Sequence, residues 1–174
     1  MFETIGEWVD QGLKFVEANH DWAPPFLFLF AFGESVAVIS LIFPATVVLV
    51  GIGGLVGAGT LDFWPLWFAA TIGAGLGNWF SYWLGARFGL GVFRFWPLRN
   101  YPDLEPRGER FLKRYGFTGV FLGQFLGPMR ASVPLVCGIF RMDALRYQAA
   151  SWAACAVWTA TLLAPGAFAV SWFS

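Results

Sequence analysis

The chain has 174 residues, of which 57% are hydrophobic, 20% aromatic and only 13% charged, against about 25% charged in an average soluble protein. Eleven Lys and Arg balance eleven Asp and Glu, so nothing favours nucleic-acid binding, and functional electrostatics must come from where the charges sit. Such a composition predicts an integral membrane protein of one domain with no soluble domain left over.

In chain order, residues 1–21 come first. Ile5, Trp8, Val9, Leu13 and Val16 recur at helical spacing opposite Glu3, Glu7, Asp10, Lys14 and Glu17, which predicts an amphipathic helix lying in the interface, on the outer face because it is acidic. A removable signal peptide is not expected, since the segment lacks a basic start followed by an uninterrupted apolar core. Residues 23–61 carry one charge, Glu34, and a proline at Pro44, and predict a first broken hairpin. From Phe63 to Ala86 no residue is charged, so residues 62–88 are expected to form a transmembrane helix.

The segment 89–114 holds Arg94, Arg99, Arg107, Arg110, Lys113 and Arg114 among prolines and aromatics, and is expected on the cytoplasmic membrane surface. Residues 115–140 contain a lone Arg130, with Gly127, Pro128, Pro134 and Gly138 as expected hairpin-breaking positions. Arg141 and Arg146 follow. A single crossing would split these two basic clusters across the membrane, whereas a re-entrant hairpin keeps both inside. Residues 143–172 then read as a second transmembrane helix.

A shift of 81 places matches Gly57 with Gly138, Asp62 with Asp143, Ala69 with Ala150, Gly85 with Gly166 and Ala86 with Ala167. The expected fold is therefore all-α: an inverted repeat of two re-entrant helical hairpins, each followed by a transmembrane helix, plus interfacial helices. Such repeats put substrate near the midplane, where broken helices meet. Gly73 with Gly77, Gly53 with Gly57, and Gly119, Gly123 and Gly127 have the spacing of close helix packing. Asn78 could bond a neighbouring helix or line a cavity. Trp64, Trp67, Trp83, Trp96, Trp152 and Trp172 read as interfacial anchors.

Cys137 and Cys155 lack the paired spacing of a metal site and His20 is the one histidine, so neither metal nor cofactor is expected. A lipid phosphatase would need histidines and a serine hydrolase a Gly-x-Ser-x-Gly run; with neither present, the chain reads as a non-enzyme.

Phe32-Gly33-Glu34 with Pro44, and Gly123-Gln124-Phe125-Leu126-Gly127-Pro128-Met129-Arg130 with Pro134, Gly138, Met142 and Trp158, resemble the DedA family, also described as VTT-domain or SNARE-associated membrane proteins. The likeness runs from about Pro24 to Gly166. It implies facing re-entrant hairpins in the bacterial cytoplasmic membrane, charged hairpin residues needed for function, and translocation of undecaprenyl phosphate or phospholipids, with protons as a coupling ion. Where many members have an acidic residue after the first hairpin's proline, this chain reads Pro44-Ala45-Thr46. Gln124 stands where many have a second arginine, and Ser151 where an asparagine is common. The expected transport site is thus Glu34, Arg130, Gln124 and Thr46.

Arg130 suits a phosphate, because a guanidinium stays charged and donates paired hydrogen bonds to phosphate oxygens. Glu34 would neutralise it in the empty state and leave, or take up a proton, when the lipid arrives. Two other roles stay open: a static ion pair between hairpins, and a proton-coupled carrier of small ions or drugs with Glu34 as the proton site. The sequence does not specify the oligomeric state.

Overall fold

The computed structural model describes residues 20–36, 45–89, 91, 104–125, 130 and 132–173, and their regular structure is entirely helical. A 3₁₀ turn at His20–Trp22 leads into α1 (Ala23–Ser35), followed by α2 (Ala45–Gly57), α3 (Phe63–Phe88), α4 (Leu104–Gly123), α5 (Ser132–Ile139) and α6 (Ala144–Phe173). The amphipathic helix expected over residues 1–21 lies outside the described residues apart from the start of that turn. So do the expected breakers Pro44, Gly127 and Pro128.

Pro24 and Pro25 open α1, where a missing backbone N–H costs nothing and the fixed φ suits a helix. Ala23, Leu27, Ala31 and Ser35 are its buried residues, one every fourth position, which is one face of a helix. That face lies on α3, whose Gly73 and Gly77 touch the backbone of α1 at Phe28 and Phe32. A side chain at either glycine would hold the two backbones apart.

The other two approaches to α3 use the same device. Gly85 of α3 and Gly138 of α5 face each other, with Gly138 against the carbonyl of Tyr82 and Gly85 against that of Leu135. Gly75 accommodates the ring of Trp152 from α6. In turn α6 packs along α2, where Gly53 meets the backbone at Leu163. Helix α5 therefore packs on α3 and α2 on α6, and the two contact points, Tyr82 and Leu163, are 81 residues apart.

Matching turns precede the two long helices. At the end of α2, Gly59 (φ 76°) donates to the carbonyl of Val56, and Thr60 to that of Leu55. At the end of α5, Arg141 (φ 49°) donates to Gly138, and Met142 to Cys137. Both are Schellman terminations, which satisfy carbonyls that the helix leaves open. In each case an aspartate follows at the N-cap of the next helix: Asp62 before α3, and Asp143, whose Oδ1 accepts from the Arg146 amide at 2.9 Å.

Three expectations change. Pro134 and Gly138, expected to break a hairpin, are both inside α5. Pro134 is in its first turn, where proline is tolerated, and Gly138 is a packing position. Next, α4 begins within the expected basic surface segment and continues into the residues expected to form the second hairpin, turning at Gly116 (φ 47°, ψ −125°). Finally, among the described residues no helix is long and apolar enough to cross a membrane. The 26 residues of α3 measure about 39 Å as a helix, but glycines, tryptophans and Asn78 stand where a highly hydropathic span would have aliphatic side chains. Its outer surface is nonetheless apolar, with Trp64, Phe68, Ile72, Trp79, Phe80 and Trp83 exposed.

Tightness at Gly138 and strain at Arg141 make opposite predictions. Gly138→Ala should destabilise the fold by about 1–3 kcal/mol, because the new methyl meets rigid backbone. Arg141→Gly should stabilise it by roughly 1 kcal/mol, since only glycine adopts that conformation without a Cβ penalty. Thermal unfolding of the purified protein in detergent should shift in those two directions.

Candidate functional site

Three helices converge on one side chain. Arg130 lies between α4 and α5 and is buried. Its Nε donates to Gln124 Oε1 at 3.2 Å, just past the end of α4. Its Nη2 donates to Ser35 Oγ at 3.1 Å, the last residue of α1. The guanidinium carbon is 3.4 Å from the ring centroid of Trp158 on α6, a distance that allows cation–π attraction.

Glu34 completes the group. Its Oε2 is 3.4 Å from Arg130 Nη1, with side-chain exposures of 13% for Glu34 and 5% for Arg130. Nη1 nevertheless donates no hydrogen bond, so this contact is Coulombic, without the short aligned geometry of a strong charge-assisted pair. The one-residue step along α1 explains the difference in burial. Ser35 continues the stripe that faces α3, and Glu34 is displaced by about 100° around the helix, to the stripe's edge.

A second layer supports the first. Ser81 of α3 donates to the backbone carbonyl of Ser35 at 3.1 Å. One turn earlier, Asn78 Nδ2 donates to Ser151 Oγ at 3.1 Å and lies 3.2 Å from Cys155 Sγ, while Tyr147 donates to the Asn78 carbonyl at 3.2 Å. Thr71 and Thr159 hydroxyls meet at 2.8 Å further along the same seam. Asn78 is therefore a bond between α3 and α6, and it occupies the side chain of Ser151. Trp67 and Trp152 also turn inward, to Ala156 and Gln148, whereas Trp64 and Trp83 are exposed. Trp96 and the side chain of Trp172 lie outside the described residues.

Of the residues singled out in the sequence, Glu34, Arg130 and Gln124 are brought together. Thr46 belongs to the first turn of α2, but its side chain lies outside the described residues. Two contacts were not foreseen in the sequence: Ser35 and the stacked Trp158. The first had a signal in the four-residue stripe of α1. Elsewhere, a cavity of about 520 Å³ is lined by His20, Asp21, Thr60 and Asp62, at the entrance to α1 and α3 and away from Arg130. Among the described residues no group of three His, Cys, Asp or Glu side chains could hold a metal ion.

Ser35→Ala removes an acceptor from a buried cation and keeps the backbone carbonyl that Ser81 uses. A hydrogen bond to a charged group contributes about 1.5–3 kcal/mol, and unfolding of this variant by denaturant in detergent should show a loss of that size.

Comparison with known proteins gives consistent matches. The VTT domain model matches residues 43–168. Inner membrane protein YabI of Escherichia coli (strain K12) is 36% identical over 141 residues, covering 81% of this chain and 56% of the relative. An uncharacterized membrane protein of Buchnera aphidicola subsp. Baizongia pistaciae is 31% identical over 156 residues, covering 90% and 61%. Inner membrane protein YghB of Escherichia coli (strain K12) is 26% identical over 124 residues, covering 71% and 57%. The chain thus spans little more than half the length of these relatives. No solved structure matches significantly.

Proposed function

The chain belongs to the VTT-domain, or DedA, family of membrane proteins, and on that basis we propose that it translocates a phosphate-bearing lipid, a phospholipid or undecaprenyl phosphate, across the bacterial cytoplasmic membrane. In this reading it crosses the membrane several times as two inverted hairpin-and-helix halves. The interlocked pairs α2 with α6 and α3 with α5, and the matching turns before α3 and α6, support that arrangement. The exposed Trp, Phe and Ile side chains of α3 supply a surface that hydrocarbon would cover.

One observation carries the site: a buried guanidinium that meets the Glu34 carboxylate at 3.4 Å without a hydrogen bond from Nη1. Gln124 and Ser35 are neutral acceptors and Trp158 fixes the plane of the group, so three contacts orient Arg130 without neutralising it. Neutralisation falls to Glu34, at 3.4 Å and on the more exposed side. A lipid phosphate is, like the carboxylate, an oxyanion that can take its position, with bidentate geometry that Arg offers and Lys does not. Glu34 then swings towards its exposed side or takes up a proton, and the second course couples lipid movement to the proton gradient. Removal of the phosphate restores the ion pair and closes the cycle.

Liposome reconstitution tests this directly. Wild-type protein should accelerate movement of labelled phospholipid or undecaprenyl phosphate between leaflets. Arg130→Lys keeps the charge but loses the fork, and should slow transport about tenfold or more, the equivalent of one lost charge-assisted hydrogen bond. If the double variant Glu34→Arg with Arg130→Glu both folds and transports normally, the pair is only a static tie between hairpins and Arg130 has no phosphate role.

A further inference from the structure

We infer that the end of the molecule where α3, α5 and α6 meet is a docking surface for anionic lipid headgroups of the cytoplasmic leaflet, and that the lipid it holds is not transported. The inference rests on membership of a membrane-protein family and not on the transport reading. Three arginines and two apolar side chains carry it.

Packing gathers them at one end. Gly138 of α5 lies against the backbone of Tyr82 and Ala86, and Arg87 is the next residue of α3, while Arg141 forms the turn that ends α5. The Tyr82 hydroxyl donates to the Met142 carbonyl at 2.6 Å, which ties α3 to that same turn. Arg146 follows in the first turn of α6, where Asp143 Oδ1 accepts from its amide at 2.9 Å. Arg87, Arg141 and Arg146 are exposed, and among the described residues none of the three guanidiniums has a hydrogen bond or an ion pair. Phe88 and Leu145 are 53% and 80% exposed beside them. Cations interleaved with exposed apolar side chains match the headgroup boundary, where phosphates adjoin acyl chains.

Two of these arginines occupy positions that local physics disfavours. Arg141 holds φ 49°, which is strained for a residue with a Cβ. The matching turn at the end of α2 has Gly59 at φ 76°, where no such cost arises. Arg146 puts a cation at the N-terminal turn of α6, the positive end of the helix dipole. Both are accounted for if this face meets fixed negative charge from outside the chain. The opposite end of α3 has another character, since it starts at Asp62, near His20 and Asp21. The basic end therefore belongs on the cytoplasmic side, where the leaflet surface is negative.

The whole chain, purified in uncharged detergent, is heated with added phosphatidylglycerol or with phosphatidylcholine of identical acyl chains. Phosphatidylglycerol should raise the unfolding midpoint by about 3 °C or more over phosphatidylcholine. Raising salt from about 0.05 M to about 0.5 M should remove most of that difference, because exposed charges are screened. Arg141→Gly should unfold later than wild type without lipid and yet respond less to phosphatidylglycerol, a pair of opposite shifts that a merely structural role for Arg141 does not produce. Arg87→Gln with Arg146→Gln should lose about half of the response or more. The wild-type salt series stands whether or not that double variant folds. An equal response to both lipids overturns the inference, as does a preference that survives high salt or the arginine variants. If inorganic phosphate reproduces the shift, the face binds free anions and the lipid assignment fails. If the response is lost in Arg130→Lys but kept in the Arg87 and Arg146 variant, it comes from the buried site, and this inference fails while the transport reading stands.

Discussion

Close approach of three helices to the small-residue faces of α3 is the constraint on which the rest of the molecule depends. Gly73 and Gly77 admit α1, Gly85 admits α5, and Gly75 admits the indole of Trp152 on α6. Each neighbour then delivers one component of the site. The end of α1 brings Glu34 and Ser35, the start of α5 follows Arg130, and α6 brings Trp158. Displacing any of these helices by the width of a methyl group would exceed the tolerance of a hydrogen bond near 3 Å. Packing and site geometry are in this sense one requirement.

The electrostatics follow from that packing. A guanidinium placed among three helices loses its water and must recover the interaction from protein groups. Two neutral oxygens and an aromatic face provide orientation, and the carboxylate that balances the charge is the most exposed contributor. The contact between the two charges is Coulombic, at 3.4 Å and without a hydrogen bond from Nη1.

Several features were legible from residues alone. Glu34 and Arg130 stand out because each is the only charge in a long apolar run, and the glycine pairs stand out by their spacing. The helical class and the short acidic turns at Asp62 and Asp143 were equally readable. Others were not. Ser35 is an ordinary serine until the four-residue stripe of α1 is known to face α3, and Trp158 is 28 positions from the cation on which it stacks. Pro134 misled because a proline disrupts a helix only beyond its first turn, and the helix start at Ser132 was not marked by a strong cap. Gly138 misled because a glycine can serve as a hinge or as a contact surface, and only the nearness of Tyr82 selects the second.

By itself the sequence determined which residues are too costly to bury without purpose and which small residues permit contact, since these follow from residue chemistry and local spacing. Tertiary structure decided which donor meets which acceptor. Gln124 and Ser35 approach the same guanidinium from positions 89 residues apart, and no local rule relates such positions. The set of contacts on the guanidinium exists only once α1, the end of α4 and α6 have closed around Arg130.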